Sequence, residues 1–135
     1  MYSNIVVPVS FDEERDLDKA IEVAKALASP ETRLTFIHVT ESIPSYVADM
    51  IPEQTILERN AEFKRLLSEL SAQVENSDGV LLHGHTARSI TDWAQENKAD
   101  CIVIASHRPV LSDVLIGSTA AWVVRHSTCS VHVVR

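Results

Sequence analysis

Two cysteines in the whole chain, Cys101 and Cys129, leave no room for a disulfide framework, and a reducing compartment is expected. The start at Met1-Tyr-Ser-Asn has neither the basic residues nor the apolar core of a secretion signal, and no apolar run approaches the length needed to cross a bilayer. A cytoplasmic protein is the expectation. Positive charge is scarce as well: 12 Lys and Arg against 19 Asp and Glu give a net charge of −7. That field repels polyanions, so nucleic acid and anionic membrane are disfavoured as partners, while a small anion in a locally positive pocket is not. With only three glycines, the chain offers Pro8-Val-Ser-Phe-Asp12 where a dinucleotide fold would carry a Gly-rich turn, and it has no Walker loop. The third predicted strand ends at His83-Gly84 without an aspartate, which argues against a phosphoacceptor receiver domain. Internal repeats and low-complexity tracts are absent.

What remains is an alternation of β-like and α-like segments. A length of 135 residues suits one domain with a single core, and 45% hydrophobic residues make it an ordinary globular one. Ile5–Val9 reads as a strand buried on both faces, with Pro8 at its end because proline removes a ladder donor. Asp12-Glu-Glu14 places acidic charge at the start of a helix that carries Leu17, Ile21, Ala24 and Leu27 and stops at Ser29-Pro30. Leu34–Val39 is the second strand. Thr40–Pro52 is a long loop with short helical turns, whose Tyr46, Val47 and Met50 could cover a ligand or a dimer groove. Gln54–Glu75 has a helical stripe of Ile56, Phe63, Leu66, Leu67, Leu70 and Val74, and Asn76–Gly79 supplies turn chemistry after it. Val80–His83, a helix over Arg88–Asn97, Cys101–Ala105, a helix over Gly117–His126 and Ser130–Val134 complete the alternation. Such an order predicts a parallel sheet with helices on both faces.

The stretch from Cys101 to Thr119 organises the rest. A β-branched run, Cys101-Ile-Val-Ile-Ala105, empties into Ser106-His-Arg-Pro109, and the chain restarts at Gly117-Ser-Thr119 as a helix. Unpaired backbone N–H groups and the positive end of a helix dipole converge at such a place, and anions are its natural guests. Arg108 could pair bidentately with a phosphate or with a surface carboxylate such as Asp113. Gly117-Ser118 fits either a helix cap or a ligand contact, and Ser10 either a nucleoside contact or the close of a turn. His107 could touch a phosphate or carry a proton, although no partner acid is identifiable. His83 and His85, two apart at a strand end, diverge and make a poor metal pair; Trp93 and Trp122 fall on apolar helical faces and read as core.

Ile5-Val-Val-Pro-Val9, Ile37-His-Val39, Gly84, Ile102-Val-Ile-Ala-Ser-His-Arg-Pro109, Leu115-Ile-Gly-Ser118, Val123-Val-Arg-His126 and Cys129–Arg135 together resemble the universal stress protein family, in particular its enterobacterial F and G type. The resemblance covers the whole chain. It implies an open five-stranded parallel sheet in the order 3-2-1-4-5, adenine nucleotide alpha hydrolase-like, and a homodimer paired through the last strand. Nucleotide-binding members hold ATP with a pattern G-x2-G-x9-G-S/T. Here Ala105 and Arg108 stand at the first two glycines, eight residues separate Arg108 from Gly117, and Ser10 stands where many members have an aspartate.

The resemblance implies that Pro8, Val9, Ser10 and Val39 flank an adenosine, that Ala105, Ser106, His107 and Arg108 follow ribose and phosphates, and that Gly117, Ser118, Thr119 and Ala120 cradle the distal phosphates. ATP or another adenine nucleotide is the expected ligand, with Mg2+ as a possible companion. Val131, Val133 and Val134 are the expected dimer edge, since an apolar terminal strand invites pairing. Two alternatives stay open: a slow ATPase or self-modifying enzyme using His107 or Ser118, and a dimeric interaction module without nucleotide.

Overall fold

The computed structural model describes residues 1–11, 14–106 and 117–135, leaving aside the side chains of residues 14–16. The elements are β1 (Tyr2–Pro8), α1 (Glu14–Leu27), β2 (Ala28–Thr40), α2 (Ser45–Ala48), α3 (Glu53–Ala72), β3 (Ser77–His83), α4 (Thr86–Glu96), β4 (Cys101–Ala105), α5 (Ser118–His126) and β5 (Ser130–Val134). Among the described residues the strands form one five-stranded sheet in the order β3-β2-β1-β4-β5, and all its pairings are parallel.

Side-chain alternation along the strands divides the interior. Ile5, Val7, Val9, Leu34, Phe36, Cys101 and Val103 face α1 and α3, where they meet Ala20, Ala24 and Leu67. Val6, Ile37, Ile102 and Ile104 face the other way, against Ala87, Ile90 and Ala94 of α4 and Ala120 and Val123 of α5. Burial on both faces is why Ile5-Val-Val7 and Cys101–Ile104 read as unbroken apolar runs rather than alternating ones. From β1 the chain steps outward to β2 and β3 on one side, and β4 and β5 lie on the other. The switch in strand order therefore falls between β1 and β4, the place where open α/β sheets generally bind their ligands.

Several boundaries differ from those read in the sequence; β1, for one, runs Tyr2–Pro8 rather than Ile5–Val9. Ser29-Pro30 does not separate α1 from the second strand: β2 begins at Ala28, and the register jumps from Tyr2↔Ala28 to Asn4↔Arg33. The intervening residues bulge, so the missing N–H of Pro30 removes no ladder bond. Thr32 closes the bulge by donating its hydroxyl to the Tyr2 carbonyl at 2.6 Å while accepting the Ser29 N–H at 2.9 Å. The turn expected over Asn76–Gly79 lies instead over residues 73–76 and ends at Asn76, whose φ is 54° and whose amide donates to the Thr32 carbonyl at 2.9 Å. β3 then starts at Ser77, with Gly79 inside it because a Cβ there would stand 2.7 Å from the Leu67 Cβ of α3. α3 itself ends at Ala72, and of its expected stripe only Leu67 is buried within the helix. Finally, α4 begins at Thr86 rather than Arg88, since Gly84 at φ 135° turns the corner and the His85 ring accepts the Arg88 N–H as N-cap.

Candidate functional site

The carboxyl edge of β1 and β4 is built by hydrogen bonds between residues distant in the chain. The register Ile5↔Cys101 and Val6↔Ile102, continued along the strands, sets Val9 level with Ala105. Pro8 closes β1, half-buried, and Val9 behind it is buried. The Val9 N–H donates to the Ile37 carbonyl at 2.8 Å, and its own carbonyl accepts from His38 Nδ1 at 2.9 Å. Ser10 follows, exposed. Val39, half-buried near the end of β2, lies beside Leu82 of β3.

Across the switch point, Ala105 ends β4 opposite Val134, and Ser106 is buried directly after it. The Ser106 N–H donates to the Val134 carbonyl at 2.8 Å, while its Oγ accepts the Gly117 N–H at 2.9 Å. One serine, directly after β4, thus bonds both the last residue of β5 and the N-cap of α5. Gly117 sits at φ −59° and ψ 151°, with no side-chain cap, and α5 carries Arg125 and His126 in its last turn, where they suit the negative end of the helix dipole. The first turn of any helix leaves N–H groups without intrahelical acceptors, here including those of Thr119 and Ala120. Ser118 is exposed, Thr119 half-buried and Ala120 buried.

Of the residues read as candidates in the sequence, the structure brings Pro8, Val9 and Ser10 to the same sheet edge as Ala105, Ser106 and the Gly117–Ala120 helix start; Val39 is one strand further out. His107 and Arg108 lie outside the described residues, as do Asp12, Glu13 and Asp113. His83 and His85 part company: His83 Nδ1 meets the Thr40 hydroxyl at 2.5 Å, and His85 caps α4. Trp93 and Trp122 pack against the core under α4 and α5, and Trp122 also stacks on His126 at a centroid distance of 3.8 Å. Tyr46 and Met50 on and beside α2 are exposed. Among the described residues no group of three potential metal ligands occurs, and no helix is long and apolar enough to cross a membrane.

Two features escaped the sequence reading. The hydroxyl of Ser106, expected along the ribose and phosphates, also accepts the Gly117 N–H, a bridge that the sequence does not announce. His38 was not singled out, although period-two alternation places it on the same face as Leu34 and Phe36, and a ring nitrogen at the end of a buried run was the available signal. Near the base of β4, burial, reinforced by the charges of Cys129 and Asp100, pushes the Cys101 thiol up to about 11. That thiol is an inert packing group.

The model of the universal stress protein family matches residues 1–135. The chain belongs to the universal stress protein family. This universal stress protein is 32% identical over 143 residues to Universal stress protein G of Shigella flexneri, with both chains covered in full. In the solved structure of the universal stress protein UspA from Lactobacillus plantarum, 99% of this chain and 98% of that one superpose at a TM-score of 0.77 with 24% identity. A universal stress protein from Archaeoglobus fulgidus solved in complex with dAMP matches at a TM-score of 0.63 and 22% identity, over 99% of this chain and 98% of that one. Another, solved in complex with cAMP, matches at 0.68 and 21% identity, over 99% and 97%. The shared fold is the adenine nucleotide alpha hydrolase-like sheet.

Proposed function

We propose that this universal stress protein is a homodimeric stress-response module that binds an adenine nucleotide, ATP foremost, at the carboxyl edge of β1 and β4. The observation that carries the reading is the Ser106 to Gly117 hydrogen bond, which fixes the start of α5 beside the end of β4 at the switch point. The complexes of related proteins with cAMP and dAMP support the choice of ligand. In this reading Pro8, Val9, Ser10 and Val39 border the adenosine, and Ala105, Ser106, His107 and Arg108 run along the ribose and phosphates. Gly117, Ser118, Thr119 and Ala120 take the distal phosphates through first-turn N–H groups and hydroxyls. Mg2+ would enter as the counter-ion of the phosphates, which is how that ion is usually held. The cytoplasm, where ATP is abundant, suits such a module.

The reading favours binding over turnover, because no base with an orienting partner can be assembled from the described residues. A nucleotide-independent interaction module is the second reading, favoured by Ala105 and Arg108 at positions where the binding pattern has glycine. Dimerisation would use the outer edge of β5. Val131 and Val133 are half-buried against the α4/α5 core and Val134 against the α1/α3 core, so a second copy would meet the backbone edge of β5 together with the exposed parts of these side chains. Thermal denaturation with added ATP and AMP tests the ligand, since a molecule bound only by the folded state raises the midpoint. No shift at saturating millimolar nucleotide would select the interaction module. Sedimentation of the wild-type chain at rising concentration tests the dimer.

A further inference from the structure

The corner from β1 into α1 is held by a side chain of the neighbouring strand. The Val9 carbonyl can only accept, so His38 Nδ1, 2.9 Å away, must carry the proton in that hydrogen bond. The same imidazole lies 5.0 Å from the Phe11 ring and 4.3 Å from the Phe63 ring of α3, and the two phenyl rings stack at 6.0 Å. The Val9 N–H is already taken by the carbonyl of Ile37. Val9 is therefore tied through both of its peptide groups to consecutive residues of β2, and Phe11 is held by the ring of the second of them. Ser10, exposed, is the single residue between these two points of attachment.

We infer that His38 is the positioning residue for Ser10, fixing the direction in which that serine leaves β1 toward a bound nucleoside. The inference rests on the nucleotide-site reading above. Imidazole suits the task because it combines a flat body that packs against both phenyl rings with a donor for the carbonyl. Phenylalanine would keep the packing and leave the Val9 carbonyl unpaired; asparagine would keep a donor near the place of Nδ1 and lose the ring contacts.

The test is titration of ATP into the full chain carrying His38→Phe, His38→Asn, Ser10→Ala or the pairs of these with Ser10→Ala, with folding of each checked by urea denaturation. His38→Phe is expected to weaken ATP binding about tenfold, the equivalent of one mispaired carbonyl, and His38→Asn is expected to stay within about threefold of wild type. In the Ser10→Ala background the effect of His38→Phe should shrink to less than about threefold, because a residue that acts through Ser10 has nothing left to position. Equal losses in both backgrounds, or wild-type affinity in His38→Phe, overturn the inference while leaving the site itself in place. Failure of the wild type to bind ATP overturns the nucleotide reading and the positioning role with it, and is recognised by its independence of residue 38.

Discussion

Replacing Gly117 by aspartate should separate the stability of α5 from the binding of phosphate. At φ −59° and ψ 151° the Gly117 backbone is open to any L-residue, so a side chain there introduces no strain. Aspartate and glycine differ as N-caps by only a few tenths of a kcal/mol, and aspartate is the better of the two. The Ser106 bond uses the backbone N–H of residue 117 and survives the change. A phosphate seated on the first turn of α5 would meet the new carboxylate at roughly 5 Å, where two like charges repel by about 3 kcal/mol at an effective dielectric constant near 20. Solvent at this half-exposed position and salt reduce that to about 1–3 kcal/mol, a loss of roughly 10- to 100-fold in affinity. Gly117→Asn, with the same shape and no charge, should lose less than the aspartate variant, since it only competes for the same N–H donors. The assay is ATP titration by calorimetry at low and high salt, paired with urea denaturation. Unaltered ATP affinity in Gly117→Asp would refute the placement of phosphate at this helix start. A fall in stability of more than about 2 kcal/mol would refute the claim that the N-cap tolerates a side chain.

Three further outcomes follow from the packing. Ser106→Ala leaves the Gly117 N–H without its acceptor and should cost about 1–3 kcal/mol of unfolding free energy, with ATP affinity falling as the start of α5 loses its tie to β4. Val133→Lys places a charge on a side chain that packs against the α4/α5 core, so it should lower stability by about 1–3 kcal/mol in urea denaturation whatever the oligomeric state; an unchanged midpoint would contradict the inward packing of β5. Cys101, with its folded-state thiol raised from 9.0 to about 11, favours folding below the unfolded value, and that advantage is lost as pH rises from 9 to 11. The loss amounts to about 2–3 kcal/mol, and Cys101→Ala should flatten that stretch of the stability profile.

The sheet was legible because burial on both faces leaves an unmistakable trace: β4 and β5 are bounded as the apolar runs suggest, and the alternation of strands and helices leads directly to a parallel order. The start of β2 was not, because Ser29-Pro30 is a strong local breaker and only the Tyr2 carbonyl, 30 residues away in the chain, makes the bulge around Thr32 intelligible. β3 was shortened for a similar reason. Asn76-Ser-Asp-Gly79 has the composition of a turn, yet the close approach of Leu67 is what requires Gly79. At the candidate site, residue types and their placement at strand ends were readable, whereas the bonds of Ser106 and His38 join positions 11 and 29 residues apart and have no local signature.

The hydrogen bond from Gly117 to Ser106 makes the connection between β4 and α5 a closed ring whose clasp does not depend on what the ring contains. Adding or deleting one residue between the clasped ends changes the closure entropy by only about 0.1 kcal/mol in the flexible-chain limit. The clasp thus tolerates changes in the length of the sequence between its two ends. The meeting of strand and helix is settled by a single serine, whatever the eight residues between Arg108 and Gly117 are.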